Sequence, residues 1–241
     1  MPVNQPPPPA AAKPNPFVEL IVTIVVPAVI LMQGSKTLGA VGALLLALAF
    51  PLGWAVRGFV RERKVGFMPV LGIVSTLLTG GIGLLKLDPQ WLAVKEAAVP
   101  GLIGLAVLGS MYTRYPLVRV LVFNRQIFDV DRIQQALTLR GTQVPFELRL
   151  RRGTLLLAGT FFFSAVMNYF LARWIVNSPA GSDAFNAELG RLTLLSYPII
   201  ALPSMAMMVG ILYDLARGAR ALTGLTLEQM LHAEAAARDK A

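Results

Sequence analysis

Cysteine is absent from the 241-residue chain and histidine occurs once. No disulfide framework, thiolate metal site or cysteine nucleophile can be built, and the single imidazole, His232, cannot assemble a zinc or haem cluster. A Ser-His-Asp arrangement would have to draw His232 out of the C-terminal tail. Charge is also scarce: charged residues are 15% of the chain and only 13 are acidic, lying mostly in connections and tails, so no paired carboxylates suggest acid–base catalysis. There is no Walker A phosphate loop, and the "GGIG" glycines lie inside an apolar run rather than between a strand and a helix. The sequence predicts no metal, no cofactor and no enzymatic activity.

What is abundant is apolar surface. Hydrophobic residues make up 55% of the chain and the mean hydropathy is +0.63, well to the apolar side of soluble usage. Apolar runs recur at 17–33, 38–56, 66–85, 89–111, 154–176 and 192–213, each close to the roughly 20 residues that cross a bilayer core. The expectation is an all-α, polytopic membrane helix bundle with six transmembrane helices. The first run is expected to stay in the mature chain, because residues 1–15 offer one lysine and a proline cluster in place of a basic leader, with no small-residue cleavage site behind it.

Basic residues set the predicted orientation. Four of them, Arg57, Arg61, Arg63 and Lys64, follow the second run. Eight lie between the fourth and fifth runs: Arg114, Arg119, Arg125, Arg132, Arg140, Arg149, Arg151 and Arg152. Four more follow the sixth, while the other connections hold few. Short cytoplasmic loops collect Lys and Arg, so both termini should be cytoplasmic, in agreement with an even number of crossings. This distribution accounts for the net charge of +9 without nucleic acid, whose binding surfaces interleave basic and aromatic residues. Arg57, Arg61, Arg63, Lys64, Arg149, Arg151 and Arg152 are expected to contact anionic lipid at the membrane surface.

Three regions result: a proline-rich cytoplasmic tail over residues 1–16, a transmembrane domain over 17–213, and a C-terminal cytoplasmic segment over 214–241. The tail carries "PPPP" and should be disordered or polyproline II. It ends where Asn15 and Pro16 can start the first helix and Glu19 suits its positive end. Within 114–152, the residues Val120, Phe123, Ile127, Val130, Ile133 and Leu137 recur every three or four positions, the stripe of an amphipathic helix. It is expected to lie along the cytoplasmic surface, the alternative being packing beneath the bundle or against a partner. Thr226 and Gln229 stand at capping-box spacing and predict a short helix after the last run.

Inside the apolar runs, small and polar residues stand out. Gly72, Thr76 and Gly80 at four-residue intervals, flanked by Ser75, Thr79 and Gly83, form a ridge that lets helix backbones approach. Thr160, Ser164, Asn168 and Ala172 do the same in the fifth run, where Asn168 should hydrogen-bond across helices. Lys95 lies about 9 Å beyond Pro89 at 1.5 Å per residue, shallow enough for its stem to snorkel outwards. Glu96 points about 100° away, so an ideal pair along one helix face is not expected. Pro100 releases the Glu96 carbonyl from the helix ladder. Lys95, Glu96, Asn168 and Arg173 form the candidate intramembrane polar site, and Glu96 and Arg173, in the same outer half of the bilayer, could pair. Pro198 and Pro203 predict a kink in the sixth run.

The basic loop "RGFVRERKVG", the Gly/Thr-rich run after it, "LDPQWLAVKEA" with its W-x-x-x-K spacing, "YPLVRVL", and "LRLRRGTLLLAGTFFFSAVMNYFLARWI" together resemble the bacterial intracellular septation protein A family and its relatives. The resemblance covers about half the chain and departs in the proline-rich head and the C-terminal span. It implies a small inner-membrane protein linked to envelope growth, septation and membrane integrity, acting through protein or lipid contacts, with Trp91, Lys95, Pro116 and Asn168 as family-type positions. Expected partners are membrane lipids, with other envelope or division proteins or a second copy of the chain also open. A small transporter or lipid carrier is the second reading, because polar residues in spans usually face a bundle interior or a water-filled cavity; against it, no clear internal repeat is visible.

Overall fold

A computed structural model describes residues 18, 20–62, 67–113, 116–122 and 127–231. Among the described residues the protein is 86% helix without strands, its one extended pairing being a single bridge from Phe128 to Leu231. The helices are α1 (Val26–Gln33), α2 (Ser35–Glu62), α3 (Phe67–Leu84), α4 (Gln90–Ser110), α5 (Leu117–Val122), α6 (Val130–Arg140), α7 (Gln143–Ile175), α8 (Asp183–Ser196), α9 (Leu202–Thr223) and α10 (Leu227–Met230). Asn15, Pro16, Glu19, Arg63, Lys64, Arg114, Phe123, Arg125, His232 and the proline-rich tail lie outside the described residues, and nothing is described of the Arg61 side chain.

Four stretches are long and apolar enough to cross a membrane: Ser35–Arg57, Gln90–Ser110, Gln143–Ile175 and Asp183–Thr223. Two shorter apolar helices, Ile21–Gln33 and Gly72–Leu84, fall on the first and third of the six apolar runs. The second of these belongs to the 18-residue α3, which at 1.5 Å per residue rises about 27 Å, close to a hydrocarbon core of about 30 Å. The last two stretches, of 33 and 41 residues, are longer than the apolar runs they contain. With 33 residues, α7 extends about 50 Å and carries Arg149, Arg151 and Arg152 on the same rod as the apolar segment.

Prolines shape two of these helices. A π-helical turn, Ile21–Val25, precedes Pro27 in the first turn of α1, and the Val26 N–H bonds back to the Ile21 carbonyl. A second π-turn, Tyr197–Ala201, contains Pro198, and the Leu202 N–H bonds to the Tyr197 carbonyl. Widening the ladder by one residue accommodates the missing proline N–H without ending the helix. The kink expected from Pro198 and Pro203 thus takes the form of a π-turn joining α8 to α9. In α2 the break comes from Gly39 (φ 70°, ψ 164°) instead, a conformation that glycine tolerates and other L residues resist.

The chain divides into two compact units. The first combines the described residues up to Pro89 with Ile175–Leu194. In it α2 and α3 form a hairpin in which Gly80 sits against the Leu48 side chain and Gly83 against Leu44. Close approach also brings α8 onto α1: a Cβ on Gly190 would stand 2.6 Å from the Ala28 carbonyl oxygen and 2.6 Å from Met32 Cγ. The predicted small-residue ridge packs at its Gly80 and Gly83 end, while among the described residues a Cβ on Gly72 would meet nothing within 4 Å and Thr76 turns its hydroxyl back to the Gly72 carbonyl at 2.8 Å.

The second unit combines Gln90–Trp174 with the chain from Leu195 onward. Its core gathers Val107, Val118, Ile133, Leu137, Phe146, Leu150 and Met230. The apolar face of α6 (Val130, Ile133 and Leu137) is buried there. That face therefore packs inside the protein, where Phe146, Leu150 and Met230 provide apolar partners that remove it from water. Asp129 caps α6 by accepting from the Arg132 N–H at 3.1 Å, and Gly141 (φ 65°) ends it. Between α4 and α7, Gly104 leaves room for Phe161 and Phe162. Thr226 and Gln229 make the predicted capping box at the start of α10.

Candidate functional site

The Lys95 ammonium nitrogen lies 2.6 Å from Glu96 Oε1, with side-chain exposures of 9% and 30%. Neighbouring positions diverge by about 100° on a helix, which argued against this pair. The flexible stems of both side chains close the angle, and Lys95 is held against the protein where an outward snorkel was expected. No ion pair joins Glu96 to Arg173, which is exposed near the end of α7.

Asn168 also departs from expectation. Its Nδ2 donates to the Ser164 carbonyl at 2.8 Å and to Ser164 Oγ at 3.3 Å, so the amide is bound to its own helix, one turn back, and not across helices. Thr160 likewise donates to the Leu156 carbonyl at 3.1 Å, while Thr160 and Ala172 are buried and keep the small-residue stripe on the packed side of α7. The four residues of the candidate polar site thus separate into a Lys95–Glu96 pair, an intrahelical Asn168 and an exposed Arg173. Among the surface arginines, Arg57 lies over the Trp54 ring at 6.0 Å from its centroid, Arg151 and Arg152 are exposed, and Arg149 has an internal partner.

Arg149 on α7 donates from Nε to the Asp214 carbonyl at 3.2 Å and from Nη2 to Asp214 Oδ1 at 2.6 Å on α9. Gly218, one turn after Asp214, makes the space, since a Cβ there would collide with the Arg149 side chain. Asn186 on α8 is fully buried and donates from Nδ2 to Ser35 Oγ at 3.0 Å and to the Ala40 carbonyl at 2.7 Å. The Ala40 oxygen can only accept, which fixes the amide's orientation and leaves Asn186 Oδ1 without a partner. Glu188, half a turn further on, binds the connection after α7: its carboxylate accepts from the N–H groups of Asn177 (3.0 Å) and Ser178 (2.9 Å) and from Ser178 Oγ (2.7 Å).

None of Asn186, Glu188 and Asp214 was singled out in the sequence. Asn186 carried a readable signal: Phe185, Asn186, Leu189 and Gly190 share one helix face by the 3.6-residue period, which places an amide in an apolar stripe. Asp214 and Glu188 carried none, because their partners are 65 and 10 or 11 residues away in sequence. No group of three or more His, Asp or Glu side chains suited to a metal ion occurs among the described residues.

Chemically, these groups join elements: α7 to α9, α8 to the α1–α2 turn and kink, and α8 to the connection before it. No family model, curated protein or solved structure matches the chain.

Proposed function

We propose that this chain is a multi-pass protein of the bacterial inner membrane, of the septation and envelope-maintenance type, that acts by contacts with proteins or lipids and not by catalysis. In this reading it crosses the membrane six times with both termini in the cytoplasm, the two shorter apolar helices completing the four long ones. The observation that carries it is the use of polar side chains within the apolar helices: Arg149, Asp214, Asn168 and Asn186 are spent on bonds within the chain, which suits a scaffold. The septation and envelope role draws on the W-x-x-x-K, P-L and span-five Asn elements described above.

A second reading, a small transporter or lipid carrier, draws on the Lys95–Glu96 pair in an apolar helix and on the partnerless Asn186 Oδ1. Deletion of the gene in its host, scored for septum spacing and dye permeability, separates the two. Elongated or leaky cells rescued by the full chain are the expected result. Normal division and permeability, together with solute or lipid movement in vesicles containing the purified protein, would favour the transporter.

A further inference from the structure

Along α9 the side chains of Leu202, Met205, Val209 and Leu212 recur every three or four residues and are all exposed, so they form one apolar stripe on the helix surface. The same period carries that face on to Tyr213, Arg217, Arg220 and Gly224. There the surface opens into a pocket of about 540 Å³ lined by these four residues together with Leu225 and Leu227, within the usual size of small-ligand sites. Gly224 closes it by ending α9 in the left-handed conformation (φ 70°) and turning the backbone. A Cβ on Gly224 would collide with the Arg140 guanidinium, so a third cation lies beside that glycine.

The charge balance of the pocket is positive. No acidic side chain lines it, and no carboxylate among the described residues pairs with Arg140, Arg217 or Arg220. The carboxyl end of α9 contributes only about half a negative charge, less than one guanidinium offsets. Guanidinium groups match phosphate oxygens bidentately. An exposed apolar stripe leading into a cluster of guanidinium groups, with a tyrosine at the junction, has the polarity profile of a phospholipid with a negative headgroup.

We propose that this pocket binds the phosphate of an anionic phospholipid, with Arg217 and Arg220 as the phosphate ligands and the stripe from Met205 to Leu212 running beside an acyl chain. A soluble phosphate compound shares the headgroup chemistry but has no use for the stripe. The inference rests on the chain being a membrane protein and is independent of any role in septation.

The test uses full-length protein in uncharged detergent, titrated with fluorescent phosphatidylglycerol and competed with phosphatidylcholine or inorganic phosphate. Phosphatidylglycerol should bind about tenfold more tightly than phosphatidylcholine, and inorganic phosphate should compete weakly. The preference should vanish in Arg217→Gln/Arg220→Gln and persist in Arg151→Gln/Arg152→Gln, which removes the same charge elsewhere. Leu227→Glu, at an exposed position, places a carboxylate in the pocket with both arginines retained and should weaken binding as well. Equal loss in both arginine pairs, or an unchanged preference in Arg217→Gln/Arg220→Gln and Leu227→Glu, overturns the proposal. Competition by inorganic phosphate as strong as by phosphatidylglycerol overturns the lipid as ligand. Recovery of the chain from cells without detergent would instead refute the membrane reading itself.

Discussion

Arg149 grips Asp214 twice, through the carboxylate at 2.6 Å and through the backbone carbonyl at 3.2 Å, in a space that Gly218 leaves free. The two side chains are 31% and 32% exposed, between a surface pair and a buried one. Removing either partner should therefore cost about 1–2 kcal/mol, above the typical exposed pair and below the buried limit. Asp214→Ala and Gly218→Ala should each lower stability in a detergent unfolding titration, and the double variant should lose less than the sum, because both disturb one interaction. Additive losses would mean that Gly218 matters for another reason.

Asn186→Asp tests the orientation of the buried amide. The aspartate would set a carboxylate oxygen against the Ala40 carbonyl, 2.7 Å from the present Nδ2, so the fold should lose about 2–3 kcal/mol or more at neutral pH. Thermal melts of Asn186→Asp against the unchanged protein read this directly; an unchanged melting temperature would contradict it.

Two glycines of similar appearance should respond in opposite ways. At Gly190 a Cβ meets the backbone carbonyl of Ala28, which cannot move aside, so Gly190→Ala should destabilise by about 1–3 kcal/mol. At Gly72 a Cβ meets nothing within 4 Å, so Gly72→Ala should be neutral or stabilise by up to about 1 kcal/mol through helix propensity. Comparable melting shifts in the same direction would argue against the packing described for α8 and α1.

Lys95 and Glu96 should behave as a unit. Glu96→Gln removes the negative charge beside a nearly buried ammonium, and a loss of about 1–3 kcal/mol is expected. Replacing both, as Lys95→Met/Glu96→Leu, should cost less than the single change, because the ammonium is removed together with its carboxylate. Unfolding titrations of the three proteins provide the comparison, and a double variant worse than Glu96→Gln would show that the pair does more than satisfy itself.

Much of this architecture was legible in local pattern. The long apolar helices, the capping box at Thr226 and the helical period of Val130, Ile133 and Leu137 all depend on neighbours within a few residues. What covers that α6 face was not legible, since Phe146 and Met230 reach it from separate segments. The Lys95–Glu96 contact depends on the reach of two flexible side chains, which backbone geometry alone does not express. Asn168, expected to bond across helices, finds Ser164 as an acceptor in its own turn.

The most direct test of the central claim uses the natural lack of cysteine. Single cysteines at Leu139, 87% exposed just before α7, and at Pro179, exposed just after it, can be labelled with a membrane-impermeant maleimide in intact and in opened cells. If α7 crosses the membrane with its arginine-bearing end inside, Pro179→Cys reacts in intact cells and Leu139→Cys only after opening. Reaction of both from the same side would contradict the account.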